Sequence, residues 1–237
     1  SIPGAAVTSI RIDGVLHVAM YHRVVAPAAG DVSIPTVLVN SHAADGYTYP
    51  SIEPDDYGGS RDLTEHLLAL GHRRIGYIRL NPLLLGANQR LDAFLAATQA
   101  AGIAEADLVI RLGMEGPIGR ETNYVYREAL DILSSPSRPT ALVCGNDEMA
   151  LQAYLAALSL GLRVPDDITI VGFDDFRTVS LGLKPELTTV ALPYYDLGWQ
   201  GADMLDQLVQ AKGSADERRV LRCLVGARGS SADATRR

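Results

Sequence analysis

Short apolar runs alternate with longer amphipathic stretches along the whole chain. The pattern predicts strands over Gly14–Ala19, Thr36–Asn40, Ile75–Leu80, Asp107–Leu112, Ala141–Cys144, Ile168–Gly172, Thr188–Ala191 and Leu221–Ala227. It predicts helices over Tyr57–Leu70, Gln89–Ala101, Gly119–Leu133, Asp147–Leu160 and Tyr195–Gln210. Strands that alternate with helices imply parallel sheets joined by right-handed crossovers, an α/β fold.

Helix punctuation agrees. Asp56 can cap the segment that opens at Tyr57, because its carboxylate can accept orphan backbone N–H bonds. That segment runs out at Leu70-Gly71-His72, and Gly71 suits the left-handed residue after a helix. Ala101-Gly102 and Leu160-Gly161 repeat the signature, and Pro165-Asp166-Asp167 reads as a turn feeding the next strand. Ala26–Ser33 and His42–Pro50 read as loops, and the polar tail after Ser230 as a frayed end. No solenoid repeat is present in the sequence.

Composition narrows the function classes. The 237 residues suit one large domain or two small lobes, and 47% hydrophobic residues suffice for a core. No apolar run approaches the roughly 18 residues of a membrane helix, so no membrane partner is expected. Lys and Arg number 21 against 28 Asp and Glu, a net charge of −7 without the basic footprint of a nucleic-acid surface. Cys144 and Cys223 are too few for a disulfide framework and read as reduced buried thiols in a cytosolic protein. The chain opens at Ser1 rather than Met, so it is expected to be a fragment or trimmed form.

Catalytic motifs are missing from the sequence: no P-loop, GxGxxG, HExxH or GxSxG. His17, His22, His42, His66 and His72 lack metal-ligand spacing and are expected to be structural or solvated. Polar residues do fall just past strand ends, where open α/β sheets bind ligands. Asp174-Asp175 follows Ile168–Gly172, and Gly145-Asn146-Asp147 follows Ala141–Cys144. There Asp147 is expected to cap the helix, which frees Asn146 to offer a donor and an acceptor. Arg90, expected in the first turn of its helix, can reach into a cleft as a five-donor fork. Asn40 ends its own strand. Amide, carboxylate and guanidinium heads suit a polyhydroxylated or heterocyclic ligand, and no nucleophile–base pair accompanies them. Binding, not turnover, is expected, with no cofactor and no metal.

With these residues in place, the chain from Ile12 to Ser231 resembles the effector-binding core of the LacI/GalR family of bacterial transcription regulators. The matching segments include Ile34-Pro35-Thr36-Val37-Leu38-Val39-Asn40, Asp55-Asp56-Tyr57-Gly58-Gly59 and Glu65-His66-Leu67-Leu68-Ala69-Leu70-Gly71-His72-Arg73-Arg74-Ile75. Further along come Gly145-Asn146-Asp147-Glu148-Met149-Ala150, Val171-Gly172-Phe173-Asp174-Asp175, Pro185-Glu186-Leu187-Thr188-Thr189-Val190 and Arg228-Gly229-Ser230. They occur in the family's order. The resemblance implies a type I periplasmic-binding-protein-like fold: two lobes, each a parallel sheet flanked by helices, with the effector in the cleft. It places the N-terminal lobe at 1–51 plus 191–219, the C-terminal lobe at 52–190 plus 220–231 and a tail at 232–237. It implies a cytoplasmic homodimer in which a small molecule, a sugar rather than a nucleoside or purine, controls operator DNA binding. By the same resemblance Asn40, Arg90, Asn146 and Asp174 contact the effector, with Asp55, Arg120 and Leu192 as secondary candidates.

The sequence also departs from the family pattern. It contains no helix-turn-helix headpiece and enters near the third strand of the effector core, so upstream residues are expected to supply the rest. Leu192 stands where some members carry a polar residue, and Arg120 where an aromatic ring commonly packs. An extracellular sugar-binding protein of a transport system is the competing reading. A metal enzyme built on Asp174-Asp175 is a third.

Overall fold

The structure, a computed structural model, describes residues 12–26 and 34–234. Most of the expected loop over Ala26–Ser33 lies outside them, as does the end of the expected tail. In chain order the described residues form β1 (Val15–Val25), β2 (Thr36–Ala43), β3 (Ser51–Pro54), α1 (Asp56–Ala69), β4 (Ile75–Arg79) and α2 (Leu85–Ala100). Then come β5 (Leu108–Leu112), the short β6 (Met114–Glu115) and β7 (Thr122–Asn123), α3 (Val125–Ser134), β8 (Ala141–Cys144) and α4 (Asp147–Ser159). The chain continues through β9 (Thr169–Asp174), the one-turn α5 (Arg177–Ser180), β10 (Thr188–Ala191), α6 (Tyr194–Val209), β11 (Arg218–Leu221) and β12 (Leu224–Gly226).

These elements divide into two compact units. Unit 1 holds the chain up to Asp55, Leu84–Gly86 and Pro193–Arg222; unit 2 holds Asp56–Leu83, Ala87–Leu192 and the chain from Cys223. The sheet of unit 1 runs β1-β2-β3-β11 with every pairing parallel. Val37, Val39 and Ile52 on its strands pack against Leu197 and Met204 of α6. Gly201 permits this approach, since a Cβ there would sit 2.7 Å from Val39 Cγ2. On the edge strand β1, Leu16, Val18 and Met20 alternate outward, and Met20 is 82% exposed.

Unit 1 also buries a carboxylate. Glu53 on β3 is fully enclosed, and its oxygens accept from Arg218 Nε (2.9 Å) and Nη2 (3.0 Å) and from Ser51 Oγ (2.7 Å). His22 Nε2 and His42 Nδ1 each lie 3.1 Å away. Burial pushes this carboxyl up, but the bonds from His22, Arg218 and Ser51 outweigh it and hold it down at about 2. The segment Ser51-Ile52-Glu53-Pro54 escapes hydrophobic patterning because it carries a single aliphatic residue. It is nonetheless buried throughout, since its charge is paired.

The sheet of unit 2 runs β12-β10-β9-β8-β4-β5, parallel except for the antiparallel edge pair β10–β12. Leu63 and Leu67 of α1 and Phe94 of α2 meet Ile75, Tyr77, Val143, Val171 and Phe173 in its core. The Tyr77 and Phe94 rings pack 4.9 Å apart at 46°. Each large side chain so buried contributes about 1.5–3 kcal/mol. The helix α4 buries Ala150, Ala153, Ala156 and Ala157, a small-residue face that suits close packing. Gly71, Gly102 and Gly161 follow their helices with φ of +83°, +70° and +70°, a region open to glycine without Cβ strain.

Several expected elements differ in extent: β1 runs on to Val25, β2 runs to Ala43 into the expected loop, and α2 starts four residues early at Leu85. The helix expected over Gly119–Leu133 begins only at Val125, whose N–H donates to Asn123 Oδ1 at 2.9 Å. Residues before it instead turn between β6 and β7, with Gly116 and Gly119 at positive φ. The strand expected over Leu221–Ala227 is two: β11 joins the sheet of unit 1 and β12 that of unit 2. The tail is anchored in part, because Ala234 N donates to Leu70 O and His72 Nε2 lies 3.1 Å from Ala232 O.

Gly172 in the middle of β9 faces α4. A Cβ there would overlap Asp147 Oδ1 and come within 2.9 Å of Leu187 Cδ2. Gly172→Ala is expected to cost about 1–3 kcal/mol, the usual cost of overpacking. Urea unfolding of the variant beside the parent chain checks this.

Candidate functional site

Arg90 is the centre of the polar cluster in unit 2. It lies in the second turn of α2, not the first, because the helix starts at Leu85. It is 6% exposed, so every guanidinium nitrogen needs a partner. Nε donates to Asp56 Oδ1 at 2.6 Å, Nη1 to Gly145 O at 2.7 Å, and Nη2 lies 3.3 Å from Asp174 Oδ1. The guanidinium carbon sits 3.7 Å over the Phe173 ring. Burial works against this charge, but Asp56 and Asp174 outweigh it and hold the guanidinium above its ordinary range.

The topology explains the convergence. Gly145 follows β8 and Asp174 ends β9, so both lie at the carboxyl ends of adjacent parallel strands. Asp56 opens α1 and Arg90 lies near the start of α2, so both helices bring their N-terminal turns to that end. Asp174 runs at φ +115° and Asp175 at +50°, left-handed conformations that cost a non-glycine residue on the order of 1–3 kcal/mol each. The turn sends the two carboxylates apart. Asp175 accepts from Ser180 Oγ (2.7 Å) and pairs with Arg228 Nη1 (2.9 Å). Asp174 keeps its side chain 19% exposed beside Arg90. Burial pushes the Asp174 carboxyl up to about 7, with Arg90 pulling down and Asp56 and Glu148 adding to the rise.

The cap of α4 is Asn146 rather than the expected Asp147. Asn146, in extended conformation, is the N-cap of α4, and its Oδ1 accepts from Met149 N at 2.9 Å. With Oδ1 engaged in the cap, Asn146 keeps the donor Nδ2 but not its acceptor for other contacts. Asp147, fully buried, accepts from Thr189 Oγ1 (2.6 Å) and Phe176 N (2.7 Å). Burial pushes its carboxyl up to about 7, against those two bonds and with help from Asp174 and Asp175. Asp147 thus holds the residue that follows the strained Asp174-Asp175 pair.

Arg90, Asn146 and Asp174 therefore stand together in unit 2. Leu192 is half-buried against the core of unit 2, and its N–H donates to Asp174 O at 3.3 Å. Arg120 occupies an exposed turn between β6 and β7, outside any helix, with its N–H bonded to Pro117 O. Asn40 and Asp55 belong to unit 1. Asn40, at φ +55°, donates from Nδ2 to Ala19 O (3.0 Å), while its buried Oδ1 has no hydrogen-bond partner among the described residues. Asp55 donates its backbone N–H to Leu221 O at 2.8 Å. Locally the sequence marks Asp56 as a helix cap and Phe173 as one more apolar strand residue. No spacing rule links Asp56 to Arg90, 34 positions away.

Among the described residues no three His, Cys, Asp or Glu side chains form a metal-binding group. No helix among them is long and apolar enough to cross a membrane. The arrangement can hold donors and acceptors in fixed directions around one acidic group.

Comparison with known proteins places this architecture. Residues 64–231 match the periplasmic binding protein-like domain. The chain is 35% identical to the arabinose metabolism transcriptional repressor of Geobacillus stearothermophilus, over 77% of this chain and 49% of that protein. It is 32% identical to the transcriptional regulator GalR of Escherichia coli, over 72% and 48% respectively. The chain spans about half the length of these curated relatives. A LacI-family regulator structure from Rhizobium etli is 57% identical with a TM-score of 0.91, covering 96% of this chain and 81% of that one. A LacI-family regulator from Enterococcus faecium, solved with bound ribose, is 25% identical with a TM-score of 0.71, covering 84% and 71%. The chain belongs to the LacI/GalR family of transcription regulators and comprises its periplasmic-binding-protein-like, effector-binding domain.

Proposed function

We propose that this domain senses a small polyhydroxylated molecule, a sugar rather than a nucleoside or purine, and passes the signal to operator DNA through a headpiece outside this sequence. The observation that carries the ligand class is the pairing of a fixed guanidinium with a partly exposed carboxylate at the end of β9. Sugar hydroxyls both donate and accept. Asp174 supplies the acceptor, and Arg90 and Asn146 Nδ2 supply donors. On unit 1, Asn40 Oδ1, which lacks a hydrogen-bond partner among the described residues, is a further candidate acceptor. Asp55, Leu192 and Arg120 are weaker candidates, Arg120 least because its turn is exposed. The ribose bound to the Enterococcus relative supports the same class.

The regulatory half of the reading rests on the relatives, which are transcriptional repressors. In such a device the ligand favours one of two conformations by its differential affinity, and DNA affinity follows. A cytoplasmic homodimer is the form proposed, and binding without turnover its activity. A transport-type binding protein would share the fold, but the repressor relatives weigh against it.

Arg90→Lys is expected to weaken sugar binding by about tenfold or more, since a point charge cannot reproduce a fork of directed donors. Calorimetric titration with ribose, arabinose and galactose tests this; equal affinity in the Lys variant would remove Arg90 from the site. Asp174 gives a second expectation. A hydroxyl donates best to the ionised carboxylate, and burial pushes this carboxyl up to about 7. Affinity should therefore rise with pH up to about 7 and level off above it, approaching tenfold per unit below. Asp174→Asn should bind weakly with a flat pH profile. A flat profile in the unaltered chain would contradict the role of Asp174.

A further inference from the structure

An arginine in a ligand site ordinarily invites an anion, a carboxylate or a phosphate. Here it is already matched. Asp56, with no exposed surface, takes Nε at 2.6 Å, and Asp174 takes Nη2 at 3.3 Å. Gly145 O uses Nη1 and the Phe173 ring covers a face. One cation therefore stands against two carboxylates, and the exposed Glu148, at the start of α4, adds negative potential at Asp174. Arg90, Asp56 and Asp174 together carry −1 with Asp174 ionised and zero with it protonated, so this group is positive in neither state.

We propose that Asp56 sets the charge selectivity of this site: by neutralising Arg90 from the buried side, it makes the site accept uncharged sugars and reject sugar acids and sugar phosphates. The inference rests on the sugar-binding reading above and names the ligand's charge class within it. Asp56 itself is enclosed and offers no surface to a ligand, so it acts through Arg90 as a positioning and charge-balancing residue. An anionic ligand would place a second negative charge beside Asp174 in a poorly solvated setting, where like charges repel strongly. An uncharged polyol meets no such opposition. It can donate to Asp174 and accept from guanidinium edges while the Asp56 pair stays intact.

The test compares matched ligands on the same carbon skeleton. Galactose is set against galacturonate and glucose against glucuronate, with ribose against ribose 5-phosphate, each titrated calorimetrically into the full chain at pH 8. The expected result is that a neutral sugar binds at least about tenfold more tightly than its anionic counterpart. In Asp56→Asn the amide oxygen can still accept from Arg90 Nε, so the geometry is kept while one negative charge is lost. There the ratio should shrink or invert, and the acid should gain affinity most at low ionic strength. A merely structural role for Asp56 would weaken both ligands of a pair equally and leave the ratio alone, which overturns the proposal. So does an anion that matches or exceeds its neutral partner on the unaltered chain, a measurement that needs no variant to fold. Failure of every sugar, neutral and anionic, to bind the unaltered chain would instead sink the sugar-binding reading, and the inference with it.

Discussion

A guanidinium buried to 6% exposure is the constraint on which the rest of unit 2 depends. Removing such a charge from water costs several kcal/mol unless partners take up its hydrogen bonds. Those partners come from three places in the sequence, the start of α1, the residue after β8 and the last two residues of β9, while α2 carries the arginine itself. None can move far without leaving a donor stranded. The pair of helices and the two central strands are thereby pinned at one end of the sheet, where the backbone is least regular.

The strained pair Asp174-Asp175 follows from the same demand. An ordinary turn after β9 would not divide the two carboxylates between Arg90 and Arg228. The unfavourable φ values persist because Asp147, Ser180 and Arg228 hold the turn from three sides. Asp147 matters here although it has no surface of its own: its bond to the Phe176 N–H fixes where the turn ends.

Hydrophobic alternation in the sequence makes most strands of unit 2 legible, because Val, Ile and Leu mark Ile75–Arg79, Ala141–Cys144 and Thr169–Asp174. Helix ends at Gly71, Gly102 and Gly161 are legible for the same local reason, the freedom of glycine at positive φ. What stays hidden is whatever depends on distant partners. β3 is buried through an ionic network that Arg218 completes from 165 positions away. The sequence marks Asp147 as the cap of α4, but its partners Thr189 and the Phe176 N–H, both distant in the chain, draw it away and leave the cap to Asn146. Asp56 is an acidic residue at a helix start in any local reading. Its pairing with Arg90 exists only once the sheet has formed.

The segment from Cys223 onward completes unit 2. Cys223 lies in its core, β12 covers the edge of β10, and Ser230 Oγ bridges Ile170 O at 2.6 Å and Thr188 N at 2.8 Å. These are the last residues of the unit to leave a ribosome, after the whole of α6 and β11 of unit 1 have been made. Until they arrive, β10 has an open edge and the core an unfilled gap. Unit 2 thus cannot reach its finished state during translation in simple order from one end of the chain to the other. Its maturation waits on synthesis of a neighbouring unit, a kinetic window in which a nascent chain is exposed to chaperones and proteases.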